Sequence, residues 1–374
     1  MKVVIVGIII AVFFVACQEE RPREGRKPLS ESEKNAIDTN GVIQGQSLNQ
    51  YVGKAGELVV VAENTVFLDE IATLLDTVFG ELILPYYPPQ PKFEIKHITP
   101  EKFEKGFRRI RNLLFLELVD DENQAPSCVI KKDYYAKTQL VTVIKAPTMD
   151  GLVAELLKQA PELVEKYETI EWKREYYRHK KDNNTVLKSQ LAKQFGITLE
   201  LPKLARYESN KSGNYAHIIF PQRSRQMDLM TDGGAGGSKA NFIQSGIMIW
   251  KIPYVKSDQF TSEYLMRARD TLLKYNALHE FPGVYMGTQD HPAVLPVHSY
   301  IKIGGVEGYE FRGLYKFTGR LEPSGGKFWS FHFIHPSRNE IIAVSGYLDA
   351  PPTMSAALDL RKIQAVIYSL KLVD

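Results

Sequence analysis

Glu57-Leu58-Val59-Val60-Val61 is followed by Phe67, Ile71, Leu74, Leu75 and Val78, and the change of period between the two stretches decides the fold class. The first is a β-type run. The second sets its apolar residues on one helical face, with Asn64 or Thr65 placed to cap it. Pro85-Tyr86-Tyr87-Pro88-Pro89-Gln90-Pro91 then denies the backbone both helix and central-strand bonding, so it reads as a loop. Strands are predicted over 92–98, 107–119, 127–130 and 139–144. Thr148 caps a helix that carries Leu152, Val153, Leu156 and Leu157. Residues 162–195 read as one or two further helices, broken near Asp182-Asn183-Asn184 and ended by Gly196.

The rest of the chain keeps this style. A β restart at 197–201 precedes a glycine-rich loop, a strand over 242–253, and a helix marked by Phe260, Tyr264, Leu265, Ala268 and Leu272. Strands follow at 297–303, 309–318, 327–334 and 340–348. Ala356, Leu360, Ile363, Ile367 and Leu370 close the chain as a helix. Phe107-Arg108 stands as far before Ala146-Pro147 as Phe311-Arg312 stands before Ala350-Pro351, and Thr148-Met149 and Thr353-Met354 follow in turn. One duplicated unit explains these matches. The expected architecture is α+β with two related halves, 51–196 and 197–374, each a mainly antiparallel sheet packed by helices.

Ahead of the first strand lies a different kind of sequence. Lys2, an apolar run from Val3 to Val15 and Phe14-Val15-Ala16-Cys17 read as a lipoprotein signal, with residues 1–16 removed and Cys17 lipidated. The apolar segment is shorter than the roughly 20 residues a membrane-spanning helix needs. Residues 18–50 contain no Phe, Trp or Tyr; such a span cannot bury enough apolar surface to offset its ordering entropy, so 17–50 reads as a flexible tether. Of the two cysteines, lipidation leaves only Cys128, which excludes an intramolecular disulfide; Cys128 itself reads as a small core residue. The formal net charge of +3 over 374 residues gives no basis for expecting nucleic acid.

Candidate chemistry is sparse. Thr231-Asp232-Gly233-Gly234-Ala235-Gly236-Gly237-Ser238-Lys239 resembles a phosphate loop, but Ser238 precedes Lys239 where the motif needs the reverse order. His332 and His335, three apart in a strand, point to opposite faces. His279, His291 and His298, with Glu280 and Asp290, could gather as a site, yet no spacing matches a zinc motif, so no metal and no cofactor is expected. Gly-x-Ser-x-Gly, the usual nucleophile elbow of a hydrolase, is absent. Cations alternate with aromatics over Trp172–Lys181, which reads as a solvated helix face with snorkelling stems. Trp250, Tyr254, Tyr285 and Trp329, with Phe331, are the candidates to line a groove for a peptide or glycan, and Tyr86-Tyr87 to present a recognition loop.

Gly56–Val61, Arg269-Asp270, Phe311-Arg312-Gly313-Leu314-Tyr315-Lys316-Phe317-Thr318-Gly319, Gly325-Gly326-Lys327-Phe328 and Gly346-Tyr347-Leu348-Asp349-Ala350-Pro351, together with the lipobox, resemble the Bacteroidetes lipoproteins called domain of unknown function 4837. The resemblance spans nearly all of the chain after Cys17. It implies an exported lipoprotein with an α+β body and supplies no activity. Together these readings give a non-catalytic binding or assembly component of the bacterial cell envelope, held by lipid on Cys17 to a membrane, the outer one by expectation. Its expected partners are an envelope protein, peptide or glycan. The alternative is an envelope hydrolase built on Asp290, His291 and His298.

Overall fold

β1 (Glu57–Val61) is buried at every position, as happens to a strand covered on both faces, the usual state of parallel strands. The computed structural model describes residues 48–228, 238–278, 281–319, 324–351 and 355–373. In it β1 lies between two parallel neighbours, β2 (Glu94–Ile98) and β3 (Asn112–Leu118). With β4 (Ser127–Lys132) and β5 (Leu140–Ala146) the order is β2-β1-β3-β5-β4, and β4 alone runs antiparallel. The α+β class holds; the N-terminal sheet, however, is mainly parallel, not antiparallel. An uninterrupted apolar run was the signal for this, because a sheet with one wet face alternates instead.

Two helices cover one face. α1 (Asp69–Phe79) buries Ile71, Leu75 and Phe79 against Leu58, Val60 and Leu114. Phe107-Arg108 falls in the short α2 (Lys105–Arg108), not in a strand. α3 (Met149–Lys181) begins where Thr148 accepts a hydrogen bond from the Gly151 amide at 3.1 Å. It runs unbroken through Pro161. Proline frees the carbonyl four residues back, that of Leu157; the Leu157 side chain is exposed, so this side of the helix faces water that can take the bond. α3 buries Leu152, Leu156, Leu163 and Tyr167, whose hydroxyl bonds the Leu113 carbonyl at 2.7 Å and Thr142 Oγ1 at 2.9 Å. The break near 182–184 and the stop at Gly196 appear where the sequence sets them. Asn184 caps α4 (Thr185–Phe195), and Gly196 takes φ +68°, where an added Cβ would lie 2.5 Å from His335 Nε2.

The second sheet is antiparallel throughout. β7 (Arg206–Ser209), β8 (Tyr215–Ile219), β10 (Ser238–Pro253), β11 (Tyr285–Thr288), β13 (Val306–Thr318), β14 (Gly325–Ile334) and β15 (Glu340–Asp349) lie in the order β11-β13-β14-β15-β10-β8-β7. β9 (Arg223–Asp228) pairs with β10, and β12 (Val297–Ile303) with β13. On one face Ile247, Phe331 and Val344 meet α4 and the last helix, α6 (Ala357–Tyr368). On the other, Trp250, Phe311 and Phe328 meet α5 (Ser262–Asn276). Fully buried Arg269 of α5 lies over the Phe328 ring at 3.9 Å and donates to Thr288 Oγ1 at 2.7 Å. The short strands β6 (Ile197–Thr198) and β16 (Lys371–Leu372) join the end of α4 to the chain's C-terminal segment.

This topology rules out the duplication. β5 is parallel to one neighbour and antiparallel to the other, whereas β15 is antiparallel to both. Phe107-Arg108 is helical and Phe311-Arg312 is in β13. A few identical dipeptides in strand-rich sequence do not encode strand direction. Thr353 and Met354 lie outside the described residues.

The proline-rich loop joins the two halves. Ile83 and Tyr86 insert into the C-terminal core, and the Tyr86 hydroxyl donates to the Phe328 carbonyl at 3.0 Å. α3 meets α6 as well: Trp172 packs edge-on to Tyr368 at 5.3 Å, and Glu168 pairs with Arg361 at 3.5 Å.

Candidate functional site

The buried stripe of α3 changes character without changing period. Leu152, Leu156, Leu163 and Tyr167 give way to Glu171, Arg174, Glu175 and His179, and these polar side chains are equally buried. Residues 172–181 are therefore a solvated face only in part: Tyr177, Arg178, Lys180 and Lys181 are exposed. One side is a buried polar seam, and Trp172 and Tyr176 on the other pack toward Tyr368.

At the near end of the seam Glu171, fully buried, accepts from Arg174 Nη1 at 2.6 Å, Asn112 Nδ2 at 2.7 Å and the Gly56 amide at 3.1 Å. Arg111 Nε lies 2.9 Å from the same carboxylate but off the hydrogen-bond direction, so that attraction is coulombic. Arg174 also donates to the Thr138 carbonyl at 2.8 Å and the Arg111 carbonyl at 2.7 Å. Burial pulls its guanidinium down to about 10. The Tyr51 ring lies within 4.9 Å of Arg111 and 5.0 Å of Arg174, so one aromatic ring serves two cations. Arg111 Nη2 is buried with no hydrogen-bond partner.

Further along, Glu175 Oε2 accepts from Arg178 at 2.9 Å while Oε1 stays buried and unpartnered. Burial raises this carboxyl above its ordinary range against the opposing pull of Arg178 and Lys362. His179 Nδ1 is likewise buried without a partner. Burial, helped by the charges of Lys362 and Arg178, lowers the imidazole to about 4, so it is neutral near pH 7. α6 supplies Asp359, which accepts from Arg223 Nε at 3.0 Å and lies 3.3 Å from Lys362.

Two adjoining chambers open over this seam. The larger, about 580 Å³, sets Glu175, His179 and Lys362 opposite Leu204, Phe220 and Pro221. The smaller, about 430 Å³, is lined by Tyr51, Lys54, Arg111, Arg178 and Arg223 among others. Glu175, Arg178 and Arg223 border both. The arrangement can hold a ligand by charge on one side and apolar contact on the other.

The residues singled out from sequence lie elsewhere. Trp250 and Trp329 are buried on opposite faces of the second sheet; Tyr254 packs on the Trp250 side, and Tyr285 stands near Lys274 at 5.7 Å. The four do not meet in one groove. Asp290 is exposed and held below its ordinary range by its bond to Lys316, His291 caps a turn through Ala293 N at 3.2 Å, and His298 lies 5.9 Å from the Tyr309 ring. Their partners differ, and no shared site forms from them. His332 is buried beside Trp250 and Phe311, and burial lowers it to about 3; His335 contacts the Gly196 carbonyl. Cys128 is half-buried against the first core, its thiol pushed up to about 11 by burial. Tyr87 is exposed, but its companion Tyr86 is core. Cys17, the 17–47 part of the tether, His279, Glu280 and residues 231–237 lie outside the described residues; Ser238 and Lys239 open β10. Among the described residues no helix is long and apolar enough to cross a membrane, and no three of His, Cys, Asp and Glu group as a metal site needs.

Residues 184–369 match the family described as Domain of unknown function (DUF4837). The C-terminal half is a DUF4837 domain. Residues 52–180 match a different family, Domain of unknown function (DUF8532), so the DUF4837 resemblance does not extend over the whole body. The groove is built from both: α3 and β3 fall in the DUF8532 match, β9 and α6 in the DUF4837 domain. No curated protein matches the chain. Similar solved structures include LpqN, involved in cell envelope biogenesis of Mycobacterium tuberculosis, at 14% identity and TM-score 0.26 over 48% of this chain and 83% of that one. A point mutant of the protein Mog1 gives 10% identity and TM-score 0.24 over 46% and 96%. The Saccharomyces cerevisiae Ran-binding protein Mog1p gives 8% identity and TM-score 0.23 over 46% and 96%.

Proposed function

We propose that this chain is a lipid-anchored protein of the bacterial cell envelope, held through Cys17 to a membrane, the outer one by this reading, and that it acts as a non-catalytic binding component through the groove over α3. The anchor rests on Lys2, the apolar run and Phe14-Val15-Ala16-Cys17. The binding role rests on one observation: Glu175 Oε1 and His179 Nδ1, both buried and both without a protein partner, belong to side chains that line the larger chamber. An unpaired buried polar atom costs about 1–3 kcal/mol, a cost that a bound ligand's polar groups remove. Native mass spectrometry of the full-length protein, extracted from its own envelope in mild detergent, tests this. Wild type should carry a small molecule, and Ser245→Trp, which sets an indole into the chamber wall, should lose it. A folded wild type that comes out empty contradicts the binding role.

A further inference from the structure

We infer that the smaller chamber takes a phosphate group and that the ligand of the groove is a phosphate-bearing amphiphile, its apolar part lying along the larger chamber; this rests on the groove being the binding site. Charge balance comes first. The carboxylates of Glu171, Glu175 and Asp359 are shared among Arg111, Arg174, Arg178, Arg223 and Lys362. Lys54 adds a further cation whose ammonium forms no ion pair among the described residues. Arg111 and Arg174 are nearly inaccessible to water and share one carboxylate, so buried positive charge there is costly unless an anion joins it, while Arg178, Arg223 and Lys54 stand at the open side. Arg111 shows where: its guanidinium is 3% exposed, lines the smaller chamber and keeps Nη2 unpartnered.

The anion's shape follows from the donors. Arg111 immediately precedes β3, Arg178 lies in α3 and Arg223 in β9, so the cations approach from three different elements. A carboxylate offers two oxygens to such an array. A phosphate monoester offers three and carries close to two charges. Glu171 and Tyr51 fix the Arg111 guanidinium beforehand, so little ordering remains to oppose binding.

The apolar part follows from the other wall. Pro202, Leu204, Phe220 and Pro221 line the larger chamber, and Leu204 is 75% exposed. Because Arg178 and Arg223 border both chambers, a head on these guanidiniums leaves its tail beside Leu204. The smaller chamber begins at Tyr51, immediately after the span read as the membrane tether.

Calorimetric titration of the full chain, kept in a neutral maltoside, with hexyl phosphate, hexanol and inorganic phosphate separates the terms. Hexyl phosphate should bind at least about tenfold more tightly than inorganic phosphate, since several buried methylenes contribute, while hexanol gives no measurable heat. Arg178→Gln and Lys54→Gln should each weaken hexyl phosphate by about tenfold, the order a charge-assisted bond contributes. Lys54 is exposed, so its variant decides the matter should Arg178→Gln disturb the fold. Hexanol binding as tightly as hexyl phosphate would overturn the phosphate assignment and leave the binding groove standing. Inorganic phosphate binding equally well would overturn the amphiphile. Unchanged affinity in both variants would place the anion elsewhere, and silence from all three probes would overturn this inference, while the binding role stands or falls on the native mass spectrum.

Discussion

Glu171→Gln removes one charge from the most heavily bonded carboxylate of the groove and leaves its shape. Glu171 is fully buried and balances Arg174 at 2.6 Å and Arg111 at 2.9 Å, both themselves nearly inaccessible to water. Its remaining partners, Asn112 and the Gly56 amide, tie α3 to β3 and to the entry of β1. Breaking a buried pair by neutralising one partner costs about 3–5 kcal/mol, because the stranded cation stays desolvated. Unfolding entropy near 2.1 cal/mol/K per residue gives about 0.7 kcal/mol/K for a body of this size, so a cost of about 4 kcal/mol lowers Tm by about 6 °C. The control is Glu162→Gln, which breaks an exposed i,i+4 pair with Lys166 at 3.0 Å and should cost less than about 0.5 kcal/mol. Denaturant midpoints at constant m measure both. Equal, small losses in the two variants would refute the view that Glu171 compensates buried charge.

His179 should make stability depend on acid. A free imidazole titrates near 6.5 and the folded one near 4, so between those values the unfolded chain holds the extra proton. Stability is full above about pH 6.5 and falls as pH drops toward 4, by up to about 3 kcal/mol from this group; His179→Gln should flatten that part of the curve relative to wild type, and an unchanged slope would contradict the burial. Tyr86→Phe removes the hydroxyl's bond to the Phe328 carbonyl and should cost about 0.5–1.5 kcal/mol in the denaturant midpoint; a neutral result would mean that the proline loop does not clamp the halves through this bond. Cys17→Ala should abolish lipidation and leave the precursor uncleaved by lipoprotein signal peptidase, and a variant of unchanged mature mass and membrane partition would end the anchor reading.

Much of the fold is written locally. β1, the Thr148 cap, the break at 182–184, the Gly196 stop and the strand at 297–303 each follow from turn chemistry or side-chain period. Strand direction does not, because parallel and antiparallel partners present the same short apolar runs; only the unbroken Leu58–Val61 run pointed to burial on both faces. The groove escaped for a related reason. Charged residues at helical spacing are ordinarily solvated, and Glu171, Arg174, Glu175 and His179 become a seam only because β3 and α6 close over them. The signal that was available is register: they continue the stripe of Leu156, Leu163 and Tyr167 with no phase change. The aromatics misled in the opposite sense, since Trp250 and Trp329 fill the two cores that flank one sheet.

The most direct test of the groove is the ring resonance of His179 in the ¹³C-histidine spectrum of the full chain, which holds 8 histidines, recorded during titration with hexyl phosphate. The His179 signal should move and saturate at the affinity found by calorimetry, while exposed His291 and His298 stay in place. A His179 signal that is unmoved at saturation would contradict the account.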